Sequence, residues 1–344
     1  MRFIICLLLW PLTMWYGIGV AVRNLLFDWG VRRSIRPSVP TVGIGNLRMG
    51  GTGKTPHTEY LIRLFAGRRV ALLSRGYGRE TKGFVLADEH STAAQIGDEP
   101  LMMARKFPQL TVAVCEERVE GIERLSQLAP SPDVVLLDDV YQHRSIKPAL
   151  NILLTEYGDP YFRDHILPFG NLREGRRGRK RADIVIVTKC PHLLDDDEQQ
   201  QMRSNLQIGD KQRLFFSHIK YGAPVSLYED TPYTECDEVV LVTGIAHPGP
   251  LVNYLEKKYK VHHLRFADHH SFKKKDYCRI IDTFDLIKSS RKVVITTEKD
   301  AARLMNCEAR ELLGKLPIFY IPIEVEIQNQ TDLQKAVTEI IGQN

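Results

Sequence analysis

The stretch Arg48-Met-Gly-Gly-Thr-Gly-Lys-Thr55 has the composition of a phosphate-binding loop. An apolar run at 39–45 precedes it and predicts a buried strand, and an apolar-periodic segment at 55–65 follows and predicts a helix. In this strand–loop–helix context the glycines let N–H groups turn inward around phosphate oxygens, and the helix N-terminus adds a partial positive charge. We therefore expect a nucleotide to be bound by Gly50, Gly51, Thr52, Gly53, Lys54 and Thr55.

The loop departs from the strict G-x-x-x-x-G-K-[ST] pattern, because Arg48 stands where that pattern has glycine. It is closer to the variant K-G-G-x-G-K-[ST], although Met49 replaces the first lysine of that variant. The alternative interpretation is a glycine-rich turn that binds nothing, and the flanking strand and helix argue against it. In a working loop, Lys54 reaches the β- and γ-phosphates and the Thr55 hydroxyl holds Mg²⁺.

Length and composition indicate a globular enzyme of two domains. The chain has 344 residues, 43% of them hydrophobic and 26% charged, and a net charge of +5, which is too small to indicate nucleic acid. The 6 cysteines are scattered and form no C-x-x-C pair, so we expect a reducing compartment and no structural metal. We expect an N-terminal helix with a basic flank over 1–36, a nucleotide-binding domain over 37–209 and a smaller C-terminal α/β domain over 210–344.

Short apolar, β-branched runs alternate with helical patterns along the rest of the chain. Continuous apolar strands between helices indicate a parallel sheet that is covered on both faces. The expected fold is therefore α/β, with a Rossmann-like parallel sheet of the P-loop NTPase type in the first domain. The predicted strands after the loop are 69–74, 111–115, 134–138, 150–155, 183–188, 238–243, 292–297 and 318–323.

The N-terminal segment carries a membrane signal. Residues 3–22 contain no charge and are just long enough to span a bilayer core. Trp10, Trp15 and Tyr16 lie in the middle of this segment, whereas interfacial aromatic residues usually mark the two ends of a span. This placement favours a helix that lies in the membrane interface over a spanning helix, a buried core helix or a cleaved signal peptide. The cationic residues that follow place the downstream chain on the cytoplasmic side: Arg23, Arg32, Arg33 and Arg36.

Three acidic sites have the pattern of catalytic or metal-binding groups. Asp138 and Asp139 end a buried strand, where carboxylates of a phosphate-loop enzyme meet Mg²⁺. Asp98 and Glu99 precede Pro100; either could accept a proton or ligate Mg²⁺, and a helix cap is the other interpretation. A third pattern, Asp268-His269-His270, suits a carboxylate-held histidine or a surface turn.

Two loops after predicted strands are placed for substrate contact, and they contain Arg75, Tyr77, Gln142 and His143. We assign Asn46 and Arg173 to the same role. The basic run 173–181 is either a solvated face, a nucleic-acid patch or, beside a membrane helix, a site for anionic lipid or phosphorylated substrate. The sequence Val187-Thr-Lys-Cys-Pro191 is similar to the guanine-reading N/T-K-x-D motif, but Pro191 occupies the position of the aspartate. ATP is therefore the expected nucleotide.

Over nearly its whole length the chain resembles the tetraacyldisaccharide 4′-kinases, the membrane-associated lipid A kinases of bacteria with an outer membrane. Besides the apolar N-terminal helix, the resemblance is carried by VGIGNLRMGGTGKTP (42–56), SRGY (74–77), GDEP (97–100), LDDVYQHR (137–144), LPFGNLRE (167–174), FADHH (266–270) and TTEKDA (296–301). The chain differs from the family pattern at Val140-Tyr141, where Gly-Phe is expected, and at Thr188, where asparagine is expected.

The resemblance implies an enzyme at the cytoplasmic face of the inner membrane that uses ATP and Mg²⁺ to phosphorylate the 4′-hydroxyl of a tetraacyldisaccharide 1-phosphate, giving lipid IV-A. It implies that Asp98 is the general base, assisted by His269. Lys54 and Asp139 complete the catalytic set, and the metal site comprises Thr55, Asp138, Asp139 and Glu99. The partners expected are the lipid substrate and an anionic membrane surface, with no nucleic acid or protein partner. The main alternatives are a partitioning-type ATPase with a deviant P-loop and a membrane-bound nucleotide sensor.

Overall fold

The structure, a computed structural model, describes residues 2–191, 193–228, 232–268 and 270–342. The chain forms two compact units, one made of Met1–Ile219 with Val325–Asn344 and the other of Lys220–Glu324. The expected division after residue 209 differs from these units in two ways. The first unit continues for ten residues beyond 209, and the C-terminal segment returns to it.

A β-sheet lies in the core of both units. In chain order the strands among the described residues are β1 (Thr41–Asn46), β2 (Val70–Ser74), β3 (Val85–Leu86), β4 (Thr111–Val114), β5 (Val134–Asp138), β6 (Leu150–Glu156), β7 (Ile184–Thr188), β8 (Arg213–Tyr221), β9 (Val225–Ser226), β10 (Glu238–Thr243), β11 (Lys260–Arg265), β12 (Lys292–Thr297), β13 (Ile318–Ile321) and β14 (Ile323–Ile327).

Helices connect most of these strands. The α-helices among the described residues are α1 (Arg2–Asp28), α2 (Lys54–Leu64), α3 (Ala93–Ile96), α4 (Asp98–Lys106), α5 (Arg118–Ser126), α6 (Asp196–Leu206), α7 (Gly249–Glu256), α8 (Lys274–Leu286), α9 (Glu298–Leu304), α10 (Cys307–Leu313) and α11 (Gln330–Gly342). Short 3₁₀ turns occupy Tyr161–Arg163 and Arg176–Arg181.

The first unit is built on a sheet with the strand order β14-β8-β7-β6-β1-β5-β2-β4-β3. The pairings from β8 through to β4 are parallel, and the short β3 is antiparallel to β4. The order reverses beside β1, because β5 lies between β1 and β2 while β6 lies on the other side of β1. Ligands of open parallel sheets bind at such a reversal, outside the carboxyl ends of the strands. The phosphate-binding loop follows β1 at this place.

Alternate residues of each central strand face two hydrophobic cores, as expected for a parallel sheet covered on both sides. In β5, Val134 and Leu136 belong to the core that includes residues of α2 and α4. Their neighbours Val135 and Leu137 belong to the opposite core, which α5 covers. The continuous apolar sequence of these strands therefore follows from their burial on both faces.

Helix α11 explains why the C-terminal segment belongs to the first unit. Leu333, Ala336, Val337 and Ile341 form a buried stripe at helical spacing, and they join the same core as α2 and α4. Transfer of this stripe from water to the core stabilises the fold in proportion to the apolar area buried. The predicted boundaries missed this return because burial on a distant sheet leaves no local signal.

The second unit contains a sheet with the order β11-β10-β12-β13-β9, parallel except for the β13–β9 pair. Helices α8 and α10 cover one face, and α7 covers the other. The TTEKDA segment belongs to this unit, where Thr297 caps α9 through the backbone N–H of Asp300. The buried Asp300 carboxylate in turn accepts a hydrogen bond from the backbone N–H of Gly244. This segment therefore ties two loops of its own unit together.

Helix α1 lies against loops of the first unit. The Tyr16 hydroxyl donates to the backbone oxygen of Arg173, and the Asn24 amide donates to the Glu174 carboxylate. Arg144 closes the end of the helix by pairing with Asp28 at 2.6 Å. Within the part of the chain that the structure describes, no helix is both long and apolar enough to cross a bilayer.

The central strands supply a test of the packing. Leu136→Ala removes a fully buried side chain from β5 and leaves a cavity, so we expect the free energy of unfolding to fall by about 2–5 kcal/mol. Leu193→Ala removes the same atoms from a side chain that is 62% exposed and should change stability by less than about 0.5 kcal/mol. Urea unfolding of both variants compares them, and equal losses would contradict the assignment of Leu136 to the core.

Candidate active site

The phosphate-binding loop has the backbone conformation that the motif predicts. Gly50 and Gly53 have φ angles of 107° and 86°, in the left-handed region where residues with a side chain are strained. Lys54 then begins α2. Its Nζ atom lies 3.5 Å from Asn46 Oδ1 and 3.7 Å from Asp139 Oδ1. The lysine is thus held over the loop by one residue from the end of β1 and one from the end of β5.

Asn46, which we assigned to substrate contact, is fully buried beneath the loop. Its Nδ2 donates to Thr52 Oγ1 at 2.8 Å, so the side chain supports both the loop and Lys54. Its backbone oxygen accepts from Gln142 Nε2 at 2.8 Å. The structure therefore places Asn46 where it orients the loop, and its contact with substrate stays a prediction.

Three of the four predicted metal-binding residues line one cavity although they lie on separate elements, and Asp139 is not among its lining residues. Thr55 from α2, Asp138 from β5 and Glu99 from α4 line one small cavity. One hydroxyl and two carboxylates suit Mg²⁺, which protein sites usually hold with one or two carboxylates plus waters and nucleotide phosphates. Among the described residues no group of three His, Cys, Asp or Glu is arranged to hold a metal alone. The donor set therefore fits Mg²⁺ that arrives with a nucleotide.

The two neighbouring aspartates have opposite electrostatic environments. Burial, together with the charges of Glu99 and Asp139, raises the pKa of Asp138 to about 7. Burial would also raise the pKa of Asp139, but Lys54 and Arg173 outweigh it and hold that pKa below its usual value. Asp139 is therefore a permanent anion between two cations. It has a φ of 47°, a left-handed conformation that turns its side chain off the strand.

Arg173 and Gln142 form the wall of the site beside Asp139. Arg173 Nη1 lies 2.9 Å from both carboxylate oxygens of Asp139 and 3.2 Å from Gln142 Oε1. Gln142 Nε2 donates to Glu174 Oε1 at 3.0 Å, and the buried Glu174 also accepts from Arg181. Arg173 thus differs from the rest of the basic run, because its charge is directed into the site.

His143, Arg75 and Tyr77 lie at the edge of the site. Burial and the nearby charges of Arg118 and Arg75 lower the pKa of His143 to about 4, so its ring is neutral at physiological pH. Arg75 is exposed, and Tyr77 is 85% exposed, which leaves both side chains accessible to a ligand. The loop that carries them packs tightly, since a side chain at Gly97 would lie 3.0 Å from the backbone oxygen of Tyr77.

Asp98 begins α4, directly before Glu99 of the metal-site cavity. His269, its expected partner, lies outside the described residues, so their pairing stays a prediction. The adjacent His270 bonds Asp276 at 2.9 Å at the start of α8 and stacks on Phe266. The structure therefore gives His270 a local contact in its own unit.

Two charged residues that complete the site were not predicted from the sequence. Arg118 is 1% exposed and donates to the backbone oxygens of Cys115 and Asp138, so its charge lies beneath the acidic pair. Glu174, also 1% exposed, joins Arg181, Gln142 and Asn24. Nothing in the sequence indicated a site role for Arg118 except its position shortly after a predicted strand. Glu174 could have been found from the sequence, because it is the only acidic residue in the basic run 173–181, and a lone acid among cations indicates a buried ion pair.

The fold and the loop define a class: a P-loop phosphotransferase of α/β architecture. The family model described as "Tetraacyldisaccharide-1-P 4'-kinase" matches residues 5–342. The chain belongs to this family. The prediction of the family and of the α/β fold is confirmed.

Individual relatives have the same family name. The chain is 46% identical to a "Tetraacyldisaccharide 4'-kinase" of Bacteroides thetaiotaomicron, covering 97% of this chain and 92% of the relative. It is 42% identical to that of Flavobacterium johnsoniae, covering 98% and 97%. A crystal structure of LpxK from Aquifex aeolicus in complex with ATP has a TM-score of 0.74 and 27% identity, covering 96% of this chain and 98% of that one.

The opposite environments of the aspartates predict a pH dependence in metal-free buffer with EDTA. An aspartate of an unfolded chain ionises near pH 4, so between about pH 4 and 7 the folded protein holds one more proton at Asp138. The contribution of Asp138 to the free energy of unfolding therefore falls as the pH rises through this range. Asp138→Asn cannot ionise, so its stability relative to the natural chain should increase from pH 5 to pH 8.

Asp133→Asn is the control, at a carboxylate whose pKa is shifted in the opposite direction to that of Asp138. The hydrogen bonds and charge of Arg69 lower the pKa of Asp133 to about 2. That variant should be less stable than the natural chain by a constant amount between pH 5 and pH 8. Denaturant unfolding at several pH values measures both differences. A constant difference for Asp138→Asn would show that this carboxylate is not buried as described.

Proposed function

We propose that the chain transfers the γ-phosphate of ATP to the 4′-hydroxyl of a tetraacyldisaccharide 1-phosphate, with lipid IV-A as the product. Its family supports this kinase activity over the partitioning-type ATPase. The observation that carries the proposal is the meeting of Thr55, Glu99 and Asp138 in one cavity beside the lysine of the phosphate-binding loop. These are the groups that a kinase needs around the transferred phosphate.

Phosphoryl transfer depends on positioning and on neutralising charge more than on covalent chemistry. Lys54, supported by Asn46 and Asp139, meets the β- and γ-phosphates. Thr55, Asp138 and Glu99 would hold Mg²⁺, which would neutralise phosphate charge when the nucleotide is bound. Arg173, fixed at 2.9 Å from Asp139, supplies a further positive charge at the same edge of the sheet.

The acceptor is an ordinary alcohol, so a carboxylate at hydrogen-bond distance accelerates its attack. Asp98 is our proposed base, with His269 as its assistant, because Asp98 is the neighbour of a metal-site residue at the start of α4. Arg75, Tyr77, Gln142 and His143 are the proposed contacts of the sugar and its 1-phosphate. Arg75 and Tyr77 are exposed at the mouth of the site, where an anionic head group would meet them.

We propose that the enzyme works at the cytoplasmic face of the inner membrane, on a substrate whose acyl chains stay in the bilayer. Helix α1 supports this proposal with an exposed apolar stripe at helical spacing that continues just past its end: Trp15, Ile18, Val22, Leu25 and Trp29. The opposite side of the helix is held by Arg144, Glu174 and the backbone of Arg173. An amphipathic helix of this kind lies in the interface plane.

Positive charge flanks the stripe. Arg32, Arg33 and Arg36 are exposed just after α1, where they would meet anionic lipid head groups. In the basic run, Arg176 and Arg179 are used internally, since they donate to the backbone oxygens of Asp164 and Gln207. Arg177 and Lys180 are exposed, so they are the members of the run that we assign to lipid contact.

The kinase and its base are tested together by following label from [γ-³²P]ATP into a tetraacyldisaccharide 1-phosphate in mixed micelles. Asp98→Asn should lower kcat by about 10²- to 10⁴-fold and keep ATP affinity, because it removes a base and leaves the phosphate site intact. Glu89→Gln, at an exposed carboxylate, is the matched control and should be as active as the natural chain. If Asp98→Asn labels the lipid as fast as the natural chain does, Asp98 is not the general base. ATP hydrolysis without labelled lipid would favour the partitioning-type ATPase.

Membrane contact is tested by sedimentation with vesicles that contain phosphatidylglycerol. The double variant Trp15→Glu/Ile18→Glu should bind at least about tenfold more weakly, because two apolar side chains no longer enter the lipid. Leu286→Glu changes a side chain that is 81% exposed in the second unit and should bind like the natural chain. Equal binding by all three proteins would contradict the assignment of this helix face to the membrane.

A further inference from the structure

The Thr188-Lys189 pair, which is similar to a guanine-reading motif in sequence, lies directly behind the phosphate-binding loop. Thr188 is the last residue of β7, and Lys189 follows it with a φ of 56°. A left-handed backbone at a residue with a long side chain is uncommon and is often kept where function requires it. Here the turn directs the lysine toward Gly51 of the loop.

Three successive carbonyl groups of the loop are bound from behind by side chains. Lys189 Nζ donates to the Gly51 oxygen at 2.6 Å, and Thr188 Oγ1 donates to the Thr52 oxygen at 2.9 Å. His57 Nδ1 lies 2.7 Å from the Gly53 oxygen. A carbonyl oxygen only accepts, so Nδ1 carries the proton, and His57 Nε2 accepts from Ser217 Oγ at 2.9 Å. Burial lowers the pKa of His57 to about 4, so the ring is neutral at physiological pH.

These bonds determine where the N–H groups of the loop point. A peptide unit is planar and trans, so its N–H is directed opposite to its C=O. With the Thr52 oxygen held by Thr188, the N–H of Gly53 is turned away from β7. With the Gly53 oxygen held by the side chain and the backbone N–H of His57, the N–H of Lys54 points away from the body of α2. The third carbonyl, that of Gly51, belongs to a peptide whose N–H does not face the ligand. That N–H, from Thr52, closes a turn onto the Gly50 oxygen, and Lys189 supports the turn by binding the Gly51 oxygen.

The donors are themselves held rigidly. Thr188 is fully buried and Ser217 is 1% exposed, and they lie on the adjacent strands β7 and β8. Lys189 also pairs with Glu156 at 2.9 Å, and Glu156 is the register partner of Thr188 in β6. Loss of the Thr188 hydroxyl would remove a buried donor from the Thr52 carbonyl, which is costly. The loop is therefore supported from the carboxyl ends of β6 and β7 and, through His57, from β8.

We propose that Thr188, Lys189 and His57 are positioning residues for the phosphates of the nucleotide, which act by holding the loop carbonyls away from the ligand. This inference rests on the assignment of the loop to ATP. It replaces base recognition as the explanation of the Thr188-Lys189 pair. The three residues act through the loop backbone and bind neither the adenine ring nor the lipid.

Direct binding measurements with ATP and with adenosine separate these explanations. Thr188→Val keeps the shape and removes the hydroxyl, so ATP affinity should fall about tenfold while adenosine affinity stays unchanged. Thr188→Ser keeps a hydroxyl and should restore most of the ATP affinity. An unchanged ATP affinity of a folded Thr188→Val protein would overturn the proposal.

Lys189→Met gives a second test at a partly exposed position, in case Thr188→Val does not fold. It should weaken ATP binding by about tenfold and leave adenosine binding unchanged. Glu156→Gln removes the ion pair but keeps the bond from Lys189 to the loop, so it should weaken ATP binding less than Lys189→Met does. If Lys189→Met weakens adenosine as much as ATP, the lysine reads the base and the proposal is wrong.

The readout does not require lipid phosphorylation, so the inference can fail independently of the proposed function. A natural chain that binds ATP and phosphorylates no lipid would overturn the kinase proposal and still allow the positioning test. A natural chain that phosphorylates lipid, with variants that bind ATP normally, would overturn only the positioning proposal.

Discussion

A phosphate-binding loop works only while its N–H groups face the ligand, and most of the first unit is organised around that constraint. The carbonyl groups must then point the other way, and a buried carbonyl needs a donor from the protein. Thr188 at the end of β7 donates to the Thr52 oxygen, and Asn46 at the end of β1 donates to the Thr52 hydroxyl. The apolar strands carry these polar residues at their ends, so the rigidity of the sheet passes to the loop.

The second constraint is the concentration of charge in front of the loop. The pKa values of the two adjacent aspartates are shifted in opposite directions. Asp138 is buried near other acids, which raises its pKa, whereas Asp139 lies between Lys54 and Arg173, which lower its pKa. One carboxylate is thereby kept as a fixed anion that holds two cations in place. In the proposed Mg²⁺ site the other carboxylate, Asp138, would exchange its proton for the metal, and metal binding would then be coupled to pH.

The strands were predictable from the chain because burial on both faces makes each a continuous apolar run. The predicted run 134–138 matches β5, and the predicted 292–297 matches β12. Strand β8 was missed because its run of three apolar residues is followed by the polar pair Ser217-His218, so it is neither a continuous apolar run nor a regular alternation. Helix α11 was assigned to the wrong unit, since its buried stripe does not indicate which sheet it covers.

By itself, the sequence determined the phosphate-binding loop, its strand and helix, the acidic pair and the family, because these depend on local spacing and on residue type. Only the tertiary structure decided that Arg118 lies beneath the acidic pair and that Asn46 supports the loop. It also decided that Thr188 and Lys189, similar to a base-reading motif in sequence, bind the loop carbonyls. The contacts of Thr188 and Lys189 join residues that are more than a hundred positions apart in the sequence. Such pairings arise from strand order and register, and no local pattern in the chain encodes them.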